Sequence, residues 1–93
     1  MDKLTLKQIE KLTNLKAFNV WFPGYEVMTY KPYGGKRRFY IVPIESPDPW
    51  NDYRYNADNL EHINGYLYGA VQAAAGQLIK ATHEQINESI LAL

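Results

Sequence analysis

The stretch YEVMTYKPYGGKRRFYIVPI, residues 25–44, decides how this chain is read, because it has the form of a β-hairpin with a positively charged tip. Two apolar runs, 25–30 and 39–44, flank Gly34-Gly35. A Gly-Gly pair supplies the positive φ values of a tight two-residue hairpin turn. Around that turn stand Lys31, Lys36, Arg37 and Arg38, with Tyr30, Tyr33 and Tyr40 among them. The two-residue turn sets Tyr33 opposite Lys36, Pro32 opposite Arg37 and Lys31 opposite Arg38. Like charges directly across strands are destabilising, and an anionic partner would relieve that penalty. These seven residues are the candidate binding surface. The bland alternative is a solvated tip whose charges discourage edge-to-edge aggregation.

Upstream of the hairpin, FNVWF at 18–22 is aromatic and β-branched and ends at Pro23-Gly24, so it is expected to be a strand. Three antiparallel strands are thereby expected, at 18–22, 25–31 and 37–44. Both faces of that sheet are apolar: Phe39 and Ile41 share one, while Tyr40, Val42 and Ile44 fill the other. A sheet with one solvated face alternates between apolar and polar. Helices must cover both faces, or one face meets a partner.

A short helix is expected at 4–14. Thr5 and Gln8 form a capping box, Leu4 and Ile9 stand at the staple positions, and Leu6, Ile9, Leu12 and Leu15 form the buried stripe. Asn14 is expected in the left-handed conformation at its end. Downstream, ESPDPWNDYRYN is expected to be a loop over 45–57, broken by Pro47 and Pro49 and pinned to the body by Trp50, Tyr53 and Tyr55. Asp58 or Asn56 then caps a helical region in which Leu60, Ile63, Leu67, Val71, Ala74, Leu78 and then Ile86 and Ile90 follow a 3.6-residue period. Thr82 with Gln85 repeats the capping-box pattern, which divides the region into helices 58–80 and 83–91. The whole is a single α+β domain over 1–93: a short N-terminal helix, a three-stranded meander and a C-terminal helix, whole or broken, packed on one sheet face.

Gly65, Gly69 and Ala73 recur every four residues in that helix and, with Gly76, make a small-residue ridge. Each helical Gly costs about 1 kcal/mol relative to Ala, so the ridge requires a reason. Close packing on the domain's own sheet is one; a helix–helix seam for self-association is the other.

The 93 residues carry no net charge, but the halves differ. Residues 1–44 hold eight Lys/Arg against three Asp/Glu, a net +5, and residues 45–93 hold two against seven, a net −5. Internal complementarity, an acidic partner for the basic half, and head-to-tail self-association all produce this division. The absence of Cys excludes disulfides, thiolate metal sites and cysteine nucleophiles. The opening MDKLTLKQIEKL lacks the apolar core of a signal peptide, and no run nears the ~20 apolar residues of a membrane span. The expectation is a cytoplasmic protein.

Catalytic signatures do not occur: no GxSxG, phosphate-binding Gly loop or HExxH is present. His62 and His83 are 21 residues apart, about 31 Å on one helix, so they do not form a metal pair. The acidic group Glu45, Asp48, Asp52, Asp58 and Glu61 matches no EF-hand spacing. No enzyme activity, metal or cofactor is expected. The expected order helix–strand–strand–strand–helix resembles that of double-stranded-RNA-binding domains. The likeness stops at the order, since those domains start their last helix with a Lys-rich cluster and this one starts with Asp58 and Glu61. In size, Tyr content and lack of motifs the chain resembles small accessory or inhibitor proteins of phages and mobile elements. The expectation is a self-associating binding protein that meets another protein through an aromatic sheet face and the Lys31–Arg38 tip. The alternative is a module that takes nucleic acid or an anionic nucleotide on the same hairpin.

Overall fold

The computed structural model describes the backbone of residues 1–91 and the side chains of residues 1–85. Four strands and four helices follow one another as β1 (Asp2–Lys3), α1 (Leu6–Glu10), α2 (Leu15–Trp21), β2 (Tyr25–Tyr30), β3 (Arg38–Pro43), α3 (Pro49–Asp52), β4 (Tyr55–Ala57) and α4 (Leu60–Leu91). The strands form one antiparallel sheet in the order β1-β2-β3-β4. The class is α+β, with four strands where three are expected from sequence.

The largest departure is at FNVWF, which is helical. Leu15, Phe18 and Phe22 recur at three- and four-residue steps, and this period overrides the β-branched and aromatic composition. Phe18 is fully buried while Val20 is 76% exposed. A strand would place those two residues on one face. Asn14 accordingly starts α2 instead of ending α1, with right-handed backbone (φ −98°, ψ 0°). Its N–H donates to Asn64 Oδ1 at 2.9 Å, and Asn64 Nδ2 donates to Thr13 Oγ1 at 3.0 Å, so this polar clasp ties the start of α2 to α4. At the other end of α2, Asn19 Nδ2 donates to the Tyr25 carbonyl at 3.0 Å, holding the Pro23-Gly24 turn.

The capping box of α1 forms as its residues predict, with Thr5 and Gln8 exchanging bonds of 2.9 and 3.2 Å. The expected stripe does not. α1 spans only five residues, so Leu6 to Leu15 never lie along one cylinder. Leu12 is buried, Leu15 partly so, Ile9 is 43% exposed and Leu6 78%.

In the hairpin, the strands stand within a residue of expectation but the register differs by one. Tyr30 pairs with Arg38, so the loop is 31–37 and the Lys31–Arg38 pairing is absent. The Gly35 N–H donates to the Pro32 carbonyl at 3.0 Å, and Gly34, with φ +72°, occupies the third place of that turn. This is the position where a type II turn requires positive φ. The turn therefore centres on Tyr33-Gly34, and no like-charge cross-strand penalty exists.

The two apolar sheet faces are both covered. Val27, Thr29, Phe39, Ile41 and Ala57 are the buried residues of the inner face, where Val27, Phe39, Ile41 and Ala57 cluster with Phe18, Ile63 and Leu67 from α2 and α4. Thr29 satisfies its hydroxyl by donating to the Arg38 carbonyl at 2.9 Å. Tyr30 and Tyr40 on the outer face meet the rings of Trp50 and Tyr53 from the segment around α3. Part of the expected loop 45–57 is β4, which zips Tyr55 and Asn56 onto Ile41 and Tyr40.

α4 is one helix, capped by Asn59, whose Oδ1 accepts from the His62 N–H at 2.8 Å. Asn56 is instead a strand residue. The expected break near Thr82 is absent because the Thr82 hydroxyl donates back to the Leu78 carbonyl at 3.0 Å, so it caps nothing. Ile86 and Ile90, expected to continue the 3.6-residue period, lie outside the described side chains. Ile63 and Leu67 are fully buried, but beyond Val71 the helix leaves the body, with Leu78 56% and Ile79 59% exposed. Among the described residues no helix is long and apolar enough to cross a membrane.

Helical and extended readings of 18–22 separate cleanly by substitution. Phe18→Ala is expected to cost about 3–5 kcal/mol, and Val20→Ala less than about 0.5 kcal/mol, in urea unfolding. Comparable losses at both sites would contradict α2.

Candidate functional site

The outer sheet face is built by period-two alternation: Met28 and Tyr30 from β2, Arg38, Tyr40 and Val42 from β3, and Asn56 from β4. Val42 is buried there, whereas the two tyrosines are half-buried. Pro49 opens α3 at a position that needs no N–H, and this short turn swings Trp50 back over the sheet. The Trp50 ring lies edge-on to Tyr30 at 4.7 Å and to Tyr40 at 5.7 Å, and Tyr53 meets Tyr40 at 5.6 Å. Such edge-to-face pairs contribute about 0.5–1.5 kcal/mol each beyond their area. The layer is not sealed, since Trp50 is 44% and Tyr53 39% exposed.

The four cations expected to act together are divided. Arg38 lies along the outer face and donates to Asn56 Oδ1. Arg37 reaches Thr29 Oγ1 at 3.2 Å on the inner side. Lys31 and Lys36 are exposed in the loop, on either side of a fully exposed Tyr33, and neither has an ion pair among the described residues. The structure thus joins Tyr30, Arg38 and Tyr40 to Trp50 and Tyr53 as one aromatic patch bordered by the Lys31–Lys36 loop, and it separates Arg37 from them. Trp50 and Tyr53 are the additions. Their role as pins is readable in the sequence, but their placement over Tyr30 and Tyr40 depends on β4 pairing with β3.

A second concavity, of about 770 Å³, opens where α4 leaves the body, between Trp21 and Phe22 at the end of α2 and the helix surface at Ala70, Ala73 and Leu78. Arg54 and Tyr66 line its inner end. The Arg54 guanidinium lies 4.2 Å from the Phe22 ring centroid and 5.3, 5.4 and 5.9 Å from those of Phe18, Tyr25 and Tyr66. Its Nε donates to Tyr66 Oη at 2.9 Å, and Tyr66 in turn stacks on Tyr55 at 4.2 Å. Burial opposes the charge on Arg54, but hydrogen bonds to Tyr66 and Tyr25 outweigh it and hold the guanidinium above its ordinary value.

Of the small-residue ridge, Gly69 and Ala73 stand on the rim of this cleft. A Cβ added at Gly65, Gly69 or Gly76 meets nothing within 4 Å. Packing on the domain's own sheet therefore does not explain these glycines. The histidines lie on one continuous helix, and His62 faces Asp58 at 3.6 Å. Asp48 and Asp52 accept bonds of 2.7 Å from Asn51 and Ser46, which makes them loop-forming residues. Among the described residues no group of three His, Asp or Glu is placed to hold a metal ion. Comparison with protein-family models, curated proteins and solved structures returns no match.

Arg54→Lys is expected to lower stability by about 1–2 kcal/mol, because an ammonium keeps the charge but loses the planar stacking and the Nε bond. Chemical denaturation measures the difference, and an unchanged midpoint would count against the aromatic box.

Proposed function

We propose that the protein is a non-catalytic binding module that docks an acidic, partly apolar protein segment on its outer sheet face. In this reading Trp50 and Tyr53 supply the apolar contact, Arg38 a planar donor on the same face, and Lys31 and Lys36 the flanking positive charge. Tyr33 extends the contact from the loop tip. The observation that carries the reading is the half-open Trp50 ring seated on Tyr30 and Tyr40 beside two lysines that have no ion pair among the described residues. Tyr, Trp and Arg are the residues enriched where interfaces concentrate their binding energy. An accessory or inhibitory role follows from such a module: it occludes or bridges the partner that it covers. The tip's separated cations favour a protein over nucleic acid, because phosphate binding profits from clustered charge.

In a Trp21→Phe background, Trp50 emission reports on this face alone. A peptide of alternating Glu and Leu is expected to shift that emission, more weakly as salt rises, and to lose its effect in a Lys31→Glu/Lys36→Glu variant. A response to single-stranded or duplex oligonucleotide and not to the peptide would replace the protein reading with the nucleic-acid one. Silence towards both at low salt would remove the outer face as a binding site.

A further inference from the structure

We propose that the cleft beside α4 is filled by α4 of a second copy, the two helices running antiparallel about a twofold axis that passes between Ala74 and Gln77. Two unsatisfied features of the chain point to one another. The first is the projecting helix, exposed from Gln72 to Gln85 apart from Ala74 and Ala75, which are half-buried. Most helical stability in proteins comes from packing of one face, which this projection lacks, and Gly76 weakens it by about 1 kcal/mol relative to Ala. The second is the cleft itself, a trough of about 770 Å³ whose helical wall is this same α4.

The wall is self-complementary when reversed. Ala70, Ala74, Gln77 and Ala81 follow one another at steps of four, three and four, on the flank of α4 that lines the cleft as far as Leu78. Rotation about the proposed axis sets Ala70 against Ala81 and Ala74 against Gln77 of the other copy. Each crossing then has alanine on at least one side, which lets the two helices pack within the usual range of about 8–10 Å. Leu78 of each copy then covers Ala73 of the other.

Charge complementarity selects a second copy over another occupant. At the inner end of the cleft Arg54 has no carboxylate partner among the described residues. Glu84, near the outer end of the projection, has no cationic partner among the described residues. Tyr66, which marks the level of Arg54, and Gln85, beside Glu84, lie equally far from the axis, about 14 Å along the helix at 1.5 Å per residue. Reversal therefore brings Glu84 of one copy to the mouth of the other's aromatic box, and the twofold axis repeats the contact. One operation covers both projections and pairs both charges. Isologous pairing of this kind is the commonest form of self-association.

The chain has no cysteine, so engineered thiols report the geometry without background. Light scattering is expected to give twice the chain mass, and Glu84→Lys, at an exposed helical site, to weaken the dimer at least tenfold, with helicity by circular dichroism unchanged at concentrations where the variant is still dimeric. Under mild oxidation Ala70→Cys/Ala81→Cys is expected to form covalent dimers, whereas Ala81→Cys alone does not. A monomer throughout the micromolar range would overturn the proposal, as would cross-linking by Ala81→Cys alone, the mark of parallel helices. A dimer indifferent to Glu84→Lys would overturn it too. Because the peptide titration reads Trp50 on the opposite sheet face, either proposal can fail while the other stands.

Discussion

One guanidinium joins four segments of this protein. Arg54 precedes β4, its backbone N–H donates to the Ile41 carbonyl of β3 at 2.7 Å, and its side chain is held by rings from α2 and its C-terminal end, β2 and α4. The arrangement requires Phe18 and Phe22 to present their rings side by side, and their centroids are 5.0 Å apart. Four residues of extended chain would place them about 13 Å apart, beyond the reach of a single cation. The helical state of α2 and the position of Arg54 thus depend on each other. Cation–π contacts gain strength as they are desolvated, towards about 2 kcal/mol, and the neighbouring hydrophobic cluster supplies the dry side of the box.

The same dependence explains what could and could not be read from residues alone. The hairpin was legible because its strands carry their own signals: apolar runs, a Gly-Gly pair and a preceding Pro-Gly turn. Its register was not. Pro32 and Gly35 close a turn one position earlier than the glycine pair suggests, and that choice shows only in which carbonyl meets which N–H. At FNVWF two local signals conflicted, β-forming composition against the three-and-four spacing of Leu15, Phe18 and Phe22. The rings' shared partner, Arg54, stands 32 residues after Phe22 and decides the matter through tertiary contact. β4 had no local signal at all, since three residues between a proline-rich loop and a helix become a strand only when β3 offers them an edge.

The candidate site followed a similar division. An apolar outer face was evident from Tyr40 and Val42, and so was the need to cover it. That Trp50 and Tyr53 provide the cover, and remain partly open in doing so, follows from where α3 and β4 place them. The cationic tip looked like a single feature because its residues are consecutive. Arg38 opens β3 on the outer face, whereas Arg37, the last loop residue, reaches Thr29 on the inner side, so adjacency in the chain was a poor guide to proximity in charge.

The projection of α4 also determines how the molecule moves through solvent. With extents of 66 × 26 × 19 Å and a radius of gyration of 17.3 Å, a single chain is far from spherical. A compact domain of this length has a radius of gyration of about 12 Å. Friction grows with elongation, so one chain tumbles and diffuses like a heavier sphere. Elution volume and rotational correlation time will therefore overstate its mass, and two antiparallel helices side by side would add mass with little added length. For this shape the number of chains in the particle has to be weighed rather than timed.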